Sequence, residues 1–142
     1  MIEAVFQKND DQIDPDYLAF EEYLTKLPTL KDRSAWEEIL ELGKKALYAG
    51  SISKENQVLI HMELASVAFY LDCSFEMQQH LDKAKEIAES LNDFSLITRS
   101  YYLQSAQARA LGDKELDPTK KDLLFLNALN LSQKAWEIAE RE

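Results

Sequence analysis

Few residues in this chain of 142 have the type and spacing that catalysis or ligation requires. The two histidines, His61 and His80, fall on successive helical stretches, and neither has a partner at ligand spacing such as a second histidine four residues away. His61 is expected to sit in an apolar surrounding, with contact to a partner or a metal as the alternatives. His80, beside Leu81 on a wetter stretch, is expected on the surface. Cys73 is the only cysteine, so no intramolecular disulfide can form, and its place at a helix junction reads as small packing. The carboxylate pairs Asp10–Asp11 and Glu21–Glu22 are adjacent in sequence, so on a helix they diverge and are poorly placed to share a proton. No nucleophile motif and no glycine-rich phosphate loop is present. The expectation is a protein that is not an enzyme, with no cofactor and no metal.

Composition narrows the partners. Asp plus Glu number 26 against 16 Lys plus Arg, a net charge of -10 and an isoelectric point near 4.7. Such a chain repels nucleic-acid phosphates and anionic headgroups, so neither nucleic acid nor membrane is expected as a partner. A start of Met1-Ile2-Glu3-Ala4 lacks the basic and apolar stretches of a secretory signal, and with the lone cysteine it suggests a cytoplasmic protein. Hydrophobic residues at 46% argue for a folded core, while only three glycines and three prolines argue for few turns and long elements. Valine occurs only at positions 5, 58 and 67, and no alternating run reads as a strand.

The elements that must position any site are therefore helices. Residues 1–13 read as an acidic tail, flexible or weakly docked, ahead of one helical-repeat domain over 14–142. Asp14-Pro15 is a helix start, followed by the stripe Leu18, Phe20, Tyr23, Leu24 and Leu27 up to a stop at Pro28. Ser34 and Glu37 have the spacing of a capping box for a second helix, which Gly50 closes. Ser53 opens a third helix, apolar around almost its whole circumference. Ser74 opens a fourth with Phe75, Met77, Leu81, Ala84 and Ile87 on one face. Asp93 opens a fifth that Gly112 ends, and Asp117-Pro118 a sixth running to Ala139. Six helices in three antiparallel pairs, approximately 14–50, 53–91 and 93–141, give an all-α fold.

An internal repeat supports the pairing. Lys83–Glu89 and Lys134–Glu140 agree at every position but one, and Lys45-Ala46-Leu47 is a weaker copy. The reference alanines 46, 84 and 135 lie 38 and then 51 residues apart, the range of a two-helix repeat with a lengthened last loop. The stretch from Leu64 to Glu89 resembles a tetratricopeptide repeat. Leu64-Ala65 matches the large-small pair of its first helix, Leu71-Asp72 the turn, and Met77, Leu81 and Ala84 the pattern of its second helix. His61 replaces a common aromatic, Asp72 a glycine and Met77 an alanine. Tyr101, Ser105, Ala108 and Leu111-Gly112, then Ala128 and Ala135, make a looser, interrupted copy. The resemblance implies a short right-handed superhelix of helix pairs that holds a peptide segment of a partner in a concave groove.

Two surfaces are candidates. Leu59, Met62, Ser66 and Phe69 with Tyr70 on the third helix, and Arg99, Tyr102, Ala106 and Arg109 on the fifth, share a 3, 4, 3 spacing. The resemblance maps both sets to the inward face. Aromatic residues, methionine and arginine are enriched at interface centres, so these residues form either a groove for a protein client or an internal seam filled by the first or sixth helix. The run Leu123-Leu124-Phe125-Leu126 is the second candidate, covered either by a loop or by a second copy in a homodimer. The functional expectation is an adaptor or small chaperone, with a self-associating structural or regulatory subunit as the alternative.

Overall fold

A computed structural model describes residues 15–49 and 52–141 and contains six helices with no strand among them. These are α1 (Pro15–Asp32), α2 (Trp36–Ala49), α3 (Lys54–Tyr70), α4 (Ser74–Ser90), α5 (Phe94–Lys114) and α6 (Pro118–Glu140). They pack as the pairs α1 with α2, α3 with α4 and α5 with α6. The chain divides into two compact units, Met1–Ser53 and Lys54–Glu142. The first holds α1 and α2. In the second, α5 packs on both α3 and α4, so the two later pairs stack. The tail 1–13, the Asp14 cap and the Gly50 closure lie outside the described residues.

Short connections with few glycines need another way to reverse the chain. Ser34, Asp72 and Asn92 take it, with φ of 55°, 58° and 54°. At each, the residue's N–H donates to the carbonyl three back, and the following N–H donates to the carbonyl five back. These bonds are Ser34 to Lys31 and Ala35 to Leu30, Asp72 to Phe69 and Cys73 to Ala68, and Asn92 to Glu89 and Asp93 to Ala88. That pattern is the Schellman termination, which usually places glycine at the left-handed position. Asn and Asp tolerate the conformation best because their short side chains bond locally.

This geometry corrects two expected starts. Ser34 closes α1 instead of capping α2, because the connection allots it the positive φ. Ser74 is the first residue of α4, and Cys73 stands at its N-cap, where its thiol makes no capping bond and donates instead to Leu71 O at 3.6 Å. By contrast, Asp93 accepts from Leu96 N at 3.1 Å and Asp117 from Thr119 N at 3.0 Å, both in the capping role expected of them.

Pro28 does not stop α1, which continues to Asp32. Its missing N–H frees a carbonyl one turn back, at Leu24, and both residues lie on the exposed side where water can satisfy that group. The buried face of α1 is Ala19, Tyr23 and Leu30, so Leu18 and Leu24 point to solvent. Lys45 of α2 reaches Glu22 of α1 at 3.9 Å, beside the closer Lys26–Glu22 pair at 2.8 Å.

Within the second unit the repeat alanines are the contact points. Ala84 and Ala135 are fully buried in one cluster with Val58, Met62, Ile87, Leu96, Ile97 and Tyr101. In the first unit, Ala46 is fully buried as well. Small residues also set the α5–α6 approach: Ser105 Oγ donates to Ala128 O at 2.6 Å and contacts Ser132 Oγ. Gly112 lies inside α5, two residues before its end, where a Cβ would stand 2.8 Å from Phe125 Cε1. Its expected role as a helix stop gives way to close packing, since the ring of Phe125 fills the place of its side chain.

Candidate functional site

The structure brings together the two histidines that the sequence kept apart. His61 Nδ1 and His80 Nδ1 are 2.9 Å apart, with ring centroids separated by 5.2 Å and planes inclined by 40°. With the two Nδ1 atoms in hydrogen-bond contact and the planes tilted, the rings meet through their nitrogens. A neutral imidazole carries one N–H, so the bond requires one ring protonated on Nδ1 and the other on Nε2. His80 is buried, which corrects its expected place on the surface. An antiparallel pair makes residues roughly equidistant from the turn neighbours, and these two stand 11 residues before and 8 after Asp72. That symmetry was the available signal. Burial, with help from His80 and Lys83, pushes the His61 pKa down from 6.5 to about 4, so the ring is neutral at pH 7. Among the described residues no group of three or more His, Cys, Asp or Glu side chains is placed to hold a metal ion.

The groove residues divide. On α3, Leu59 and Tyr70 are exposed at 38% and 59%, and Ser66 is half-buried with its hydroxyl donating to Met62 O. On α5, Arg99, Ala106 and Arg109 are exposed, as is Tyr102 at 47%. Met62 is instead a core residue, packed with Val58, Ala84 and Tyr101, because its helical position turns it towards α4 and α5. Phe69 is half-buried beside Ala65, Ala68 and Leu81, and Lys114 lies over its ring at 4.4 Å while reaching Asp72 at 3.4 Å. The exposed members are therefore Leu59 and Tyr70 on α3, with Ser66 half-buried between them, and Arg99, Tyr102, Ala106 and Arg109 on α5.

The apolar run on α6 also splits. Leu124 and Phe125 turn inward, whereas Leu123, Leu126, Leu129 and Trp136 are exposed at 61%, 54%, 63% and 55%. No loop of the described residues covers them.

Helices α4 and α6 both pack on α5, and a cleft of about 330 Å³ opens between them. Gln104, Gln107, Ala108 and Leu111 form its floor, with Leu81, Asp82 and Lys85 on one wall and Leu124, Asn127 and Leu131 on the other. Its polar members are scattered over three helices, so no linear motif announces it.

No helix among the described residues is long and apolar enough to cross a membrane. No protein-family model matches the chain, nor does any curated protein or solved structure.

Proposed function

We propose that this protein is a non-enzymatic binding module, an adaptor or small chaperone that holds a segment of a client protein along the exposed strips of α3 and α5. The observation that carries the reading is the exposure of Leu59 and Tyr70 on α3 and of Tyr102, Arg99 and Arg109 on α5. Tyrosine and arginine dominate the energetics of protein interfaces. Two guanidinium groups on a chain of net charge -10 also favour an acidic or apolar client segment, through bidentate charge-assisted bonds. The resemblance to tetratricopeptide repeats supports the same reading, since Asp72 holds the left-handed turn where that family usually has glycine and Ala84 is fully buried. The cytoplasm belongs to the proposal, as a reducing compartment suits a chain with one cysteine.

The test is quantitative capture from extract of the native cell, comparing the protein with its Arg99→Ala/Arg109→Ala variant. A client held by both arginines should bind the variant more weakly by about 2–4 kcal/mol, with melting unchanged because both residues are exposed. Equal capture of every protein by the two forms would refute the reading.

A second reading rests on α6. Four large apolar side chains on the outer face of one helix are what a self-association surface would show, whether in a structural or a regulatory subunit. Sedimentation over a concentration series decides it. A monomer at all concentrations removes this reading.

A further inference from the structure

We propose that the cleft between α4 and α6 is a second binding site, one that takes an extended peptide segment and pairs its main chain through side-chain amides. The floor carries Gln104 and Gln107, and the rims carry Gln78 on α4 and Asn127 on α6. A side-chain amide offers both a donor and an acceptor, the same complement as a peptide group, so with Gln78 bonded to Asp82 the other three match a backbone whatever its side chains. The two charged residues of the cleft are already engaged: Gln78 Nε2 donates to Asp82 Oδ1 at 2.8 Å, and Lys85 Nζ lies 5.2 Å from the centre of the Tyr101 ring. An ionic ligand therefore finds little net charge to meet. Leu81, Leu111, Leu124 and Leu131 supply apolar contact for the peptide's side chains.

Gln107 provides the independent observation. It is 6% exposed, and its Oε1 has no hydrogen-bond partner among the described residues. That oxygen is itself closed off from solvent, an unpaired buried acceptor destabilises a fold, and a peptide N–H that meets the amide once its side chain turns towards the cleft removes that penalty. A volume of about 330 Å³ lies at the small end of ligand sites, which suits a short stretch of extended chain and excludes a whole helix of roughly 10–12 Å diameter. The site lies on the side of α5 away from Arg99, Tyr102 and Arg109, so it stands or falls separately from the reading above.

The probe is N-acetyl-leucine N-methylamide, a minimal piece of backbone, titrated into the isotope-labelled full chain while the side-chain amide signals are followed by NMR. Saturable shifts at Gln104, Gln107 and Asn127 are expected. Gln107→Leu should weaken the shifts at Gln104 and Asn127 by roughly three- to tenfold, the loss of one hydrogen bond, with melting at or above that of the parent. Absence of saturable shifts at these amides, or a Gln107→Leu variant that binds equally well, would overturn the proposal. Should Gln107→Leu fail to fold, Asn127→Leu on the exposed rim decides: weaker binding with unchanged melting supports the site, and unchanged binding refutes it.

Discussion

Acidification acts on the histidine pair with a sign and a window that the structure sets. His61 titrates near 4 instead of 6.5, chiefly because burial penalises its charged form, with His80 and Lys83 adding repulsion. Between those values the unfolded chain binds a proton that the folded chain refuses. Stability is therefore full above pH 6.5, declines as the pH falls towards 4, and levels off below. A shift from 6.5 to about 4 amounts to about 3 kcal/mol at 1.36 kcal/mol per unit. The ring is only partly buried, and solvent screening brings the expected loss to about 1–2 kcal/mol. The measurement is urea denaturation of the full chain at several pH values between 7 and 4.5, run in parallel on His61→Leu. Leucine keeps apolar contact and cannot titrate, so the variant should lose the slope in this window. Glu22, whose pKa is lowered by its bond to Lys26, contributes stability above its ordinary value of 4.5 that is lost only at lower pH. Parallel curves for parent and variant between pH 6.5 and 4.5 would refute the role assigned to the pair.

Other expectations concern packing and turns. Leu81→Ala should destabilise the second unit by roughly 2–5 kcal/mol, because Leu81 is buried among Ala65, Ala68 and Met77; thermal melting measures it. Gly112→Ala should cost roughly 1–3 kcal/mol as its methyl meets Phe125, and Phe125→Leu in the same chain should recover part of that loss in a double-mutant cycle. Ser34→Gly should stabilise the first unit by about 0.5 kcal/mol, since glycine relieves the left-handed strain and gives part of it back as unfolded-chain entropy; chemical denaturation would detect the opposite sign.

What could be read from the sequence depended on whether one residue decided the outcome locally. Asp93 and Asp117 cap helices because a carboxylate before a helical stretch has a nearby N–H to accept from, and Ala84 and Ala135 mark contacts because only small side chains allow close approach. Ser34 carried a valid capping pattern, but the connection needed a positive φ more than α2 needed a side-chain cap. Pro28 and Gly112 have the residue types of helix stops, and neither acts as one. The first loses its bond on the wet side of α1, and the second answers to a ring 13 residues away on another helix. Of the groove set, Met62 and Phe69 turned inward because a 3, 4, 3 spacing fixes a stripe only to within the width of a helix face. The histidine pair and the amide cleft arise from packing between helices, which spacing along one helix does not encode.

The α3–α5 face is tested most directly by placing the photo-crosslinking residue p-benzoylphenylalanine at Tyr102 in the full chain, irradiating cells that express it, and sequencing what is joined. A client-binding face predicts cross-links to a defined segment of another protein, lost when Arg99 and Arg109 are both changed to Ala in the same chain. Cross-links confined to further copies of this protein, or a yield that the arginine substitutions leave unchanged, would contradict it.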